Sequence, residues 1–111
     1  MNKNLRLVIS KSYKEEKYSH FFEKEELKII LNLYAKMVSN GSWKDYGLTI
    51  SSKQVSFSIF KNATEKAIYR ISKNFKPKNK NLKYLIIDNG GKIINNSQDL
   101  KILLKDFNLI K

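Results

Sequence analysis

The chain has 111 residues and a mass of 13.0 kDa, room for one compact domain, and its 41% apolar and 12% aromatic content is enough to build a core. It has no cysteine and one histidine, His20, which excludes disulfide frameworks, cysteine nucleophiles and thiolate metal sites and speaks against an all-protein zinc site. Twenty-two Lys and Arg against ten Asp and Glu leave a net charge of +12, which attracts nucleic acid and anionic surfaces over about a Debye length.

Residues 1–20 open with Leu5, Leu7 and Ile9 alternating with Arg6 and Val8, and continue into a polar, charged run; this segment is expected to be an N-terminal strand or flexible arm. It has neither the long apolar stretch nor the small-residue cleavage site of a secretory signal, and no apolar run in the chain reaches membrane-span length, so the expected location is cytoplasmic and no membrane span is expected. A helix is predicted from about Glu23 to Ser39, with Leu27, Ile30, Leu31, Tyr34, Met37 and Val38 on one face. Glu23, Glu25 and Glu26 suit its positive N-terminal end, and Asn40 and Gly41 stop it.

The apolar period then changes from 3.6 to 2. Strands are predicted over Tyr46–Ile50, Val55–Phe60 and Ala67–Ser72, joined by polar turns at Ser51–Lys53 and Asn62–Glu65. Asn74–Leu82 holds Pro77, lysines and asparagines and reads as a solvated loop. Strands at Tyr84–Asp88 and Lys92–Asn95 flank Asn89-Gly90-Gly91, a strong hairpin signal. Asn96 or Ser97 is placed to cap a last helix carrying Leu100, Leu103, Leu104 and Phe107.

The expected fold class is α+β: an antiparallel meander sheet of four to five strands between an N-terminal and a C-terminal amphipathic helix, in one domain over residues 21–111. The simplest packing lays both helices on one sheet face and leaves the other partly open to water. No βαβ alternation or glycine-rich phosphate loop is present, so Rossmann and P-loop chemistry is excluded and no cofactor is expected.

The charge is uneven. Residues 1–50 hold nine basic and six acidic side chains, whereas residues 51–111 hold thirteen and four. Lys61, Lys66, Arg70, Lys73, Lys76, Lys78, Lys80 and Lys83 face only Glu65, and Tyr69, Phe75 and Tyr84 are interleaved with them. These basic residues together with Tyr84 are the candidate contacts to an anion or nucleic acid, by lysines along a phosphate backbone and bases stacked on rings. The competing explanation is compositional: twenty of the basic residues are lysine and two, Arg6 and Arg70, are arginine, in a chain rich in Asn and Ile, as AT-rich codons produce without any phosphate contact. Trp43, Asp45, Tyr46 and Arg70 form a candidate structural corner. There Trp43 closes the core or offers a stacking platform, and Asp45 pairs with Arg70. His20 has no metal or triad partner at a recognisable spacing, and the glutamates before and in the first helix are explained by its dipole, so no catalytic constellation is found and an enzyme is not expected.

Phe22-Glu23-Lys24-Glu25-Glu26-Leu27, Leu31-Asn32-Leu33-Tyr34, Gly41-Ser42-Trp43-Lys44-Asp45-Tyr46, Val55-Ser56-Phe57-Ser58-Ile59-Phe60, Ile68-Tyr69-Arg70-Ile71 and Asp99-Leu100 together resemble an alphaproteobacterial domain-of-unknown-function family, number 2794, over about residues 21 to 107. Lys44 stands where that family commonly has arginine. The resemblance implies a bacterial cytoplasmic protein and brings no catalytic residues. The expected function is a small basic noncatalytic binding module contacting nucleic acid or an acidic protein; the alternative is a protein–protein interaction or self-association domain.

Overall fold

The computed structural model describes residues 20–62, 66–105 and 107. The expected strand at Leu5, Leu7 and Ile9, and residues 63–65 of the expected Asn62–Glu65 turn, lie outside them. The element order is α1 (Lys24–Ser39), β1 (Asp45–Ile50), β2 (Gln54–Phe60), β3 (Tyr69–Asn74), a one-turn 3-10 helix (Lys80–Leu82), β4 (Tyr84–Asp88), β5 (Ile93–Ser97) and α2 (Leu100–Lys105). The strands form one antiparallel meander in the order β1-β2-β3-β4-β5, so each strand pairs with its neighbour in sequence. The α+β class and the two flanking helices agree with the sequence pattern.

Register places Tyr46, Leu48 and Ile50 of β1, Val55, Phe57 and Ile59 of β2, Tyr69, Ile71 and Lys73 of β3, and Tyr84 and Ile86 of β4 on one face. Both helices pack on that face. Tyr34 of α1 meets Tyr46 and Phe57 edge-on, and Phe107, beyond α2, meets Trp43 and Tyr69 in the same way. Phe57, Ile59, Ile71, Ile86, Ile30 and Leu103 at its centre are fully buried, the apolar area that drives folding.

The opposite face, expected to be partly open to water, is mixed. Ser56, Ser58, Ser72 and Leu85 are buried, while Thr49 and Arg70 are exposed. The Ser56 and Ser72 hydroxyls sit 2.8 Å apart and hydrogen-bond to each other, so these polar groups leave water with a partner.

The buried stripe of α1 is turned slightly from its expected position. Glu26, Ile30 and Met37 are buried, Leu27, Leu31 and Tyr34 are half-buried, and Val38 is exposed. The helix ends as predicted: Gly41 (φ +84°) donates to the Val38 carbonyl at 3.0 Å and Ser42 to the Met37 carbonyl at 2.9 Å, the paired bonds of a Schellman motif.

Three boundaries move. β3 runs from Tyr69 to Asn74, two residues further than predicted, because its pairing with β2 and β4 continues through Lys73. The β4–β5 hairpin forms, yet its left-handed residue is Gly91 (φ +88°), and neither Asn89 nor Gly90 has positive φ. Asp88 Oδ1 holds this turn by accepting from the Gly90 and Lys92 amides, both at 2.9 Å. Asn96 and Ser97 stay in β5, paired with Leu85 and Tyr84, so Asp99 caps α2 instead, accepting from the Lys101 and Ile102 amides at 2.9 and 3.2 Å.

Candidate functional site

A meander alternates its connections between two ends of the sheet. The β2–β3 connection, with Lys61 and Lys66, lies at one end, and the β1–β2 turn and the β3–β4 loop share the other. The basic residues that are continuous in sequence from Lys61 to Lys83 are therefore split by a strand length, about 20 Å for six residues. The expectation of one basic patch is corrected accordingly.

Two of the candidate contacts are interior groups. Lys73 is 7% exposed and Tyr84 5%, because both point to the helix-covered face. Lys73 Nζ donates to Glu26 Oε1 at 2.7 Å and to the Phe21 carbonyl at 3.2 Å. The Tyr84 hydroxyl donates to the other Glu26 oxygen, and the Glu23 amide donates to Oε1 at 2.6 Å. Burial pushes the Glu26 carboxyl up, but the bonds from Lys73, Tyr84 and Glu23 outweigh it and hold the group below its ordinary value. Burial first, and then the Glu26 carboxylate, push the Tyr84 hydroxyl well above its usual range. This network pins the start of α1 to the end of β3 and the beginning of β4, and it leaves no ammonium group there for a ligand.

Sequence reasoning missed Glu26 because a glutamate in the first turn is fully explained by the helix dipole. The signal was its phase. Phe22, Glu26, Ile30 and Met37 share one helical stripe, and Lys73 continues the period-2 run of Tyr69 and Ile71.

The corner is formed in part. Trp43 is 3% exposed and packs against Tyr34 and Phe107, so it closes the core and is not a platform for a ligand. Tyr46 stacks on Phe57 with centroids 4.8 Å apart. Asp45 and Arg70 do not pair. They lie on β1 and β3 with β2 between them, Asp45 opposite Phe60 and Arg70 opposite Ser58, both exposed. Asp45 Oδ1 instead accepts from the Tyr46 amide at 2.8 Å, and it is Lys73 that forms an ion pair, with Glu26.

Exposed basic residues do gather at the end that carries the β3–β4 loop. A cavity of about 530 Å³ opens there, lined by His20, Ser52, Lys53, Asn74, Phe75, Lys76, Pro77, Lys78 and Leu82. Lys53, Lys76 and Lys78 are exposed, while Phe75, Pro77 and Leu82 are half-buried and form its apolar part. No carboxylate is among these residues. His20 stands edge-on to Phe75, with ring centroids 5.0 Å apart. Lys53 and His20 were not among the predicted contacts, being distant in sequence from the loop they join.

The β3–β4 loop departs from a purely solvated segment. The Phe75 amide donates to the Lys53 carbonyl at 3.0 Å, the Asn74 amide to the Lys83 carbonyl at 2.8 Å, and Asn74 Nδ2 to the Leu82 carbonyl at 2.7 Å. The Asn79 side chain accepts from the Asn81 amide at 3.0 Å and starts the 3-10 turn. Lys80 is exposed on this turn, and Lys83 lies 5.3 Å from the Tyr84 ring centroid, a cation–π contact that holds it against the sheet. The loop is thus fixed at both ends before any ligand arrives.

A second, smaller cavity of about 320 Å³ lies at the opposite end, where Lys61 meets Trp43, Tyr69 and Phe107. It has one basic residue in its lining and no other formal charge. Among the described residues no cluster of histidine and carboxylate side chains could hold a metal ion, and no helix is long and apolar enough to cross a membrane.

No curated protein and no solved structure matches the chain. A family model described as "Protein of unknown function (DUF2794)" matches residues 20–104, which take in α1, the whole meander and most of α2. With that match spanning well over half of the chain, the chain belongs to domain-of-unknown-function family 2794.

Proposed function

We propose that this protein is a small noncatalytic module that binds nucleic acid at the end of the sheet carrying the β3–β4 loop. The observation that carries the reading is the cavity where Lys53, Lys76 and Lys78 surround Phe75, Pro77 and Leu82 with no carboxylate among the described residues that line it. Compositional drift adds lysines wherever codons allow, but it does not order a loop around an apolar floor. Lysine acts on phosphate as a compact, hydrated point charge and does not read base edges by a bidentate fork, so the expected binding is weakly dependent on sequence. Such a ligand is met in the cytoplasm, the location this reading carries with it.

Fluorescence anisotropy of a labelled single-stranded oligonucleotide tests it. The wild-type chain is expected to bind at low salt, and Lys76→Glu with Lys78→Glu to weaken binding by at least about tenfold, since each reversal replaces attraction by repulsion. Absence of a complex at low salt refutes the reading.

A second reading rests on the sheet edge. β5 has no partner on its outer side among the described strands, and Ile93 and Ile94 on it are 49% and 38% exposed. An unguarded edge with exposed apolar side chains pairs readily with another strand. A light-scattering mass of twice the monomer that Ile93→Lys returns to 13.0 kDa supports self-association through this edge; a monomer at all concentrations rejects it.

A further inference from the structure

We infer that the cavity between the β1–β2 turn and the β3–β4 loop receives one unpaired nucleobase, so that the module selects single-stranded over double-stranded nucleic acid; the inference rests on the nucleic-acid reading above. Lysines alone would hold any polyanion. The selectivity comes from what they enclose.

A volume of about 530 Å³ lies within the range of small-ligand pockets, and it is enough for a base with its sugar. Its apolar walls are two rings, Phe75 and Pro77, and the Leu82 side chain. Phe75 and His20 stand at 80° to each other, which makes a corner between two rings. A base that lies on one ring presents its own edge to the face of the other, the edge-to-face geometry that aromatic quadrupoles favour. Beside His20, Ser52 and Asn74 are the polar side chains other than lysine among the described lining residues, too few to read a particular base by a full hydrogen-bond set.

Along residues 75–78 exposure alternates, with Phe75 and Pro77 half-buried and Lys76 and Lys78 exposed. The apolar side chains therefore meet the cavity floor while their lysine neighbours stand at the rim, where the phosphates on either side of an inserted base would run. The bonds from Asn74 and Phe75 to Leu82, Lys83 and Lys53 hold this arrangement, so little ordering remains to be done on binding. A base in a duplex has both faces stacked and would have to be flipped out before it could enter.

The test compares three labelled ligands with the full chain at about 50 mM salt: oligothymidylate of about 15 nucleotides, an abasic strand with the same number of phosphates, and a duplex of that length. Oligothymidylate is expected to bind about tenfold tighter than the abasic strand and tighter than the duplex. Phe75→Ala is expected to erase the first difference while leaving abasic-strand affinity within about twofold; Phe75→Tyr, which keeps a ring and the fold, is expected to retain it. Equal affinity for oligothymidylate and the abasic strand, with the Lys76→Glu and Lys78→Glu effect intact, overturns base insertion and leaves the polyanion reading standing. Binding that oligothymidylate and polyglutamate compete for equally, again with no base effect, overturns it in favour of an acidic protein. No binding to any of the three overturns both.

Discussion

Replacing Lys73 by methionine tests whether the ion pair under α1 is an interior element of the fold. Methionine fills most of the space of the lysine stem, so the change removes a charge without opening a large cavity. In the wild-type chain the Lys73 and Glu26 side chains are 9% and 11% exposed, with Nζ 2.7 Å from Oε1. An exposed pair would contribute about 0–1 kcal/mol. Here the substitution strands a carboxylate largely shielded from water, and breaking a buried pair from one side costs about 3–5 kcal/mol. Glu26 keeps the Tyr84 hydroxyl and the Glu23 amide as donors, which places the expected loss near the lower end, about 3 kcal/mol. That is a large part of the roughly 5–15 kcal/mol available to a domain, and it corresponds to a fall in Tm of about 12 °C or more. Urea denaturation followed by circular dichroism at neutral pH measures it. Lys76→Met, on the exposed loop, serves as the control and is expected to stay within about 0.5 kcal/mol. Adding Glu26→Gln to Lys73→Met removes the stranded charge and is expected to recover at least about 1 kcal/mol, a non-additivity of neighbours. A loss below about 1 kcal/mol for Lys73→Met would refute the reasoning, since it would mean that water reaches the pair.

The same network sets an acid limb. Because the folded Glu26 carboxyl lies below its ordinary value, the unfolded chain takes up the proton first; the stabilisation is present above the ordinary carboxylate range and is lost as pH falls through the folded value. The urea midpoint is therefore expected to decline from about pH 5 downward, less steeply in Glu26→Gln than in the wild type. Trp43→Ala empties the corner between α1, β1 and Phe107 and is expected to cost about 3–5 kcal/mol by the same denaturation assay. Gly91→Ala forces a side chain into φ +88° and is expected to cost about 1–2 kcal/mol, whereas Gly90→Ala, whose added carbon would meet Asp88 Oδ1 at an ordinary 3.5 Å, is expected to change stability by less than about 0.5 kcal/mol.

The elements that bury apolar stripes were readable in advance. Leu27 to Met37 repeat at helical spacing, Val55, Phe57 and Ile59 alternate, and Gly41 ends a helix because few other residues take its φ cheaply. What sequence order hid were groups whose environment is made by partners distant along the chain. Lys73 and Glu26 look like solvated charges until the register of β3 brings one beneath the other, forty-seven residues apart. Ser56 and Ser72 look like solvated hydroxyls until β2 and β3 set them opposite each other. The candidate site shows the same effect in reverse. Lys61 to Lys83 read as one basic run, but the meander sends Lys61 and Lys66 to one end of the sheet and turns Lys73 inward. At the other end it adds Lys53 and His20 to Lys76 and Lys78. The choice of Asp45 and Arg70 as partners failed for a related reason, since strands adjacent to the same neighbour are separated by its full width.

The claim that the loop end of the sheet grips phosphates is tested most directly by the salt dependence of oligothymidylate binding. If Lys53, Lys76 and Lys78 each neutralise one phosphate, the slope of log affinity against log salt is about −2 for the wild type. It falls to about −0.7 in a variant with Lys76 and Lys78 both changed to glutamine. A slope near zero, or one that the double variant leaves unchanged, would contradict the account.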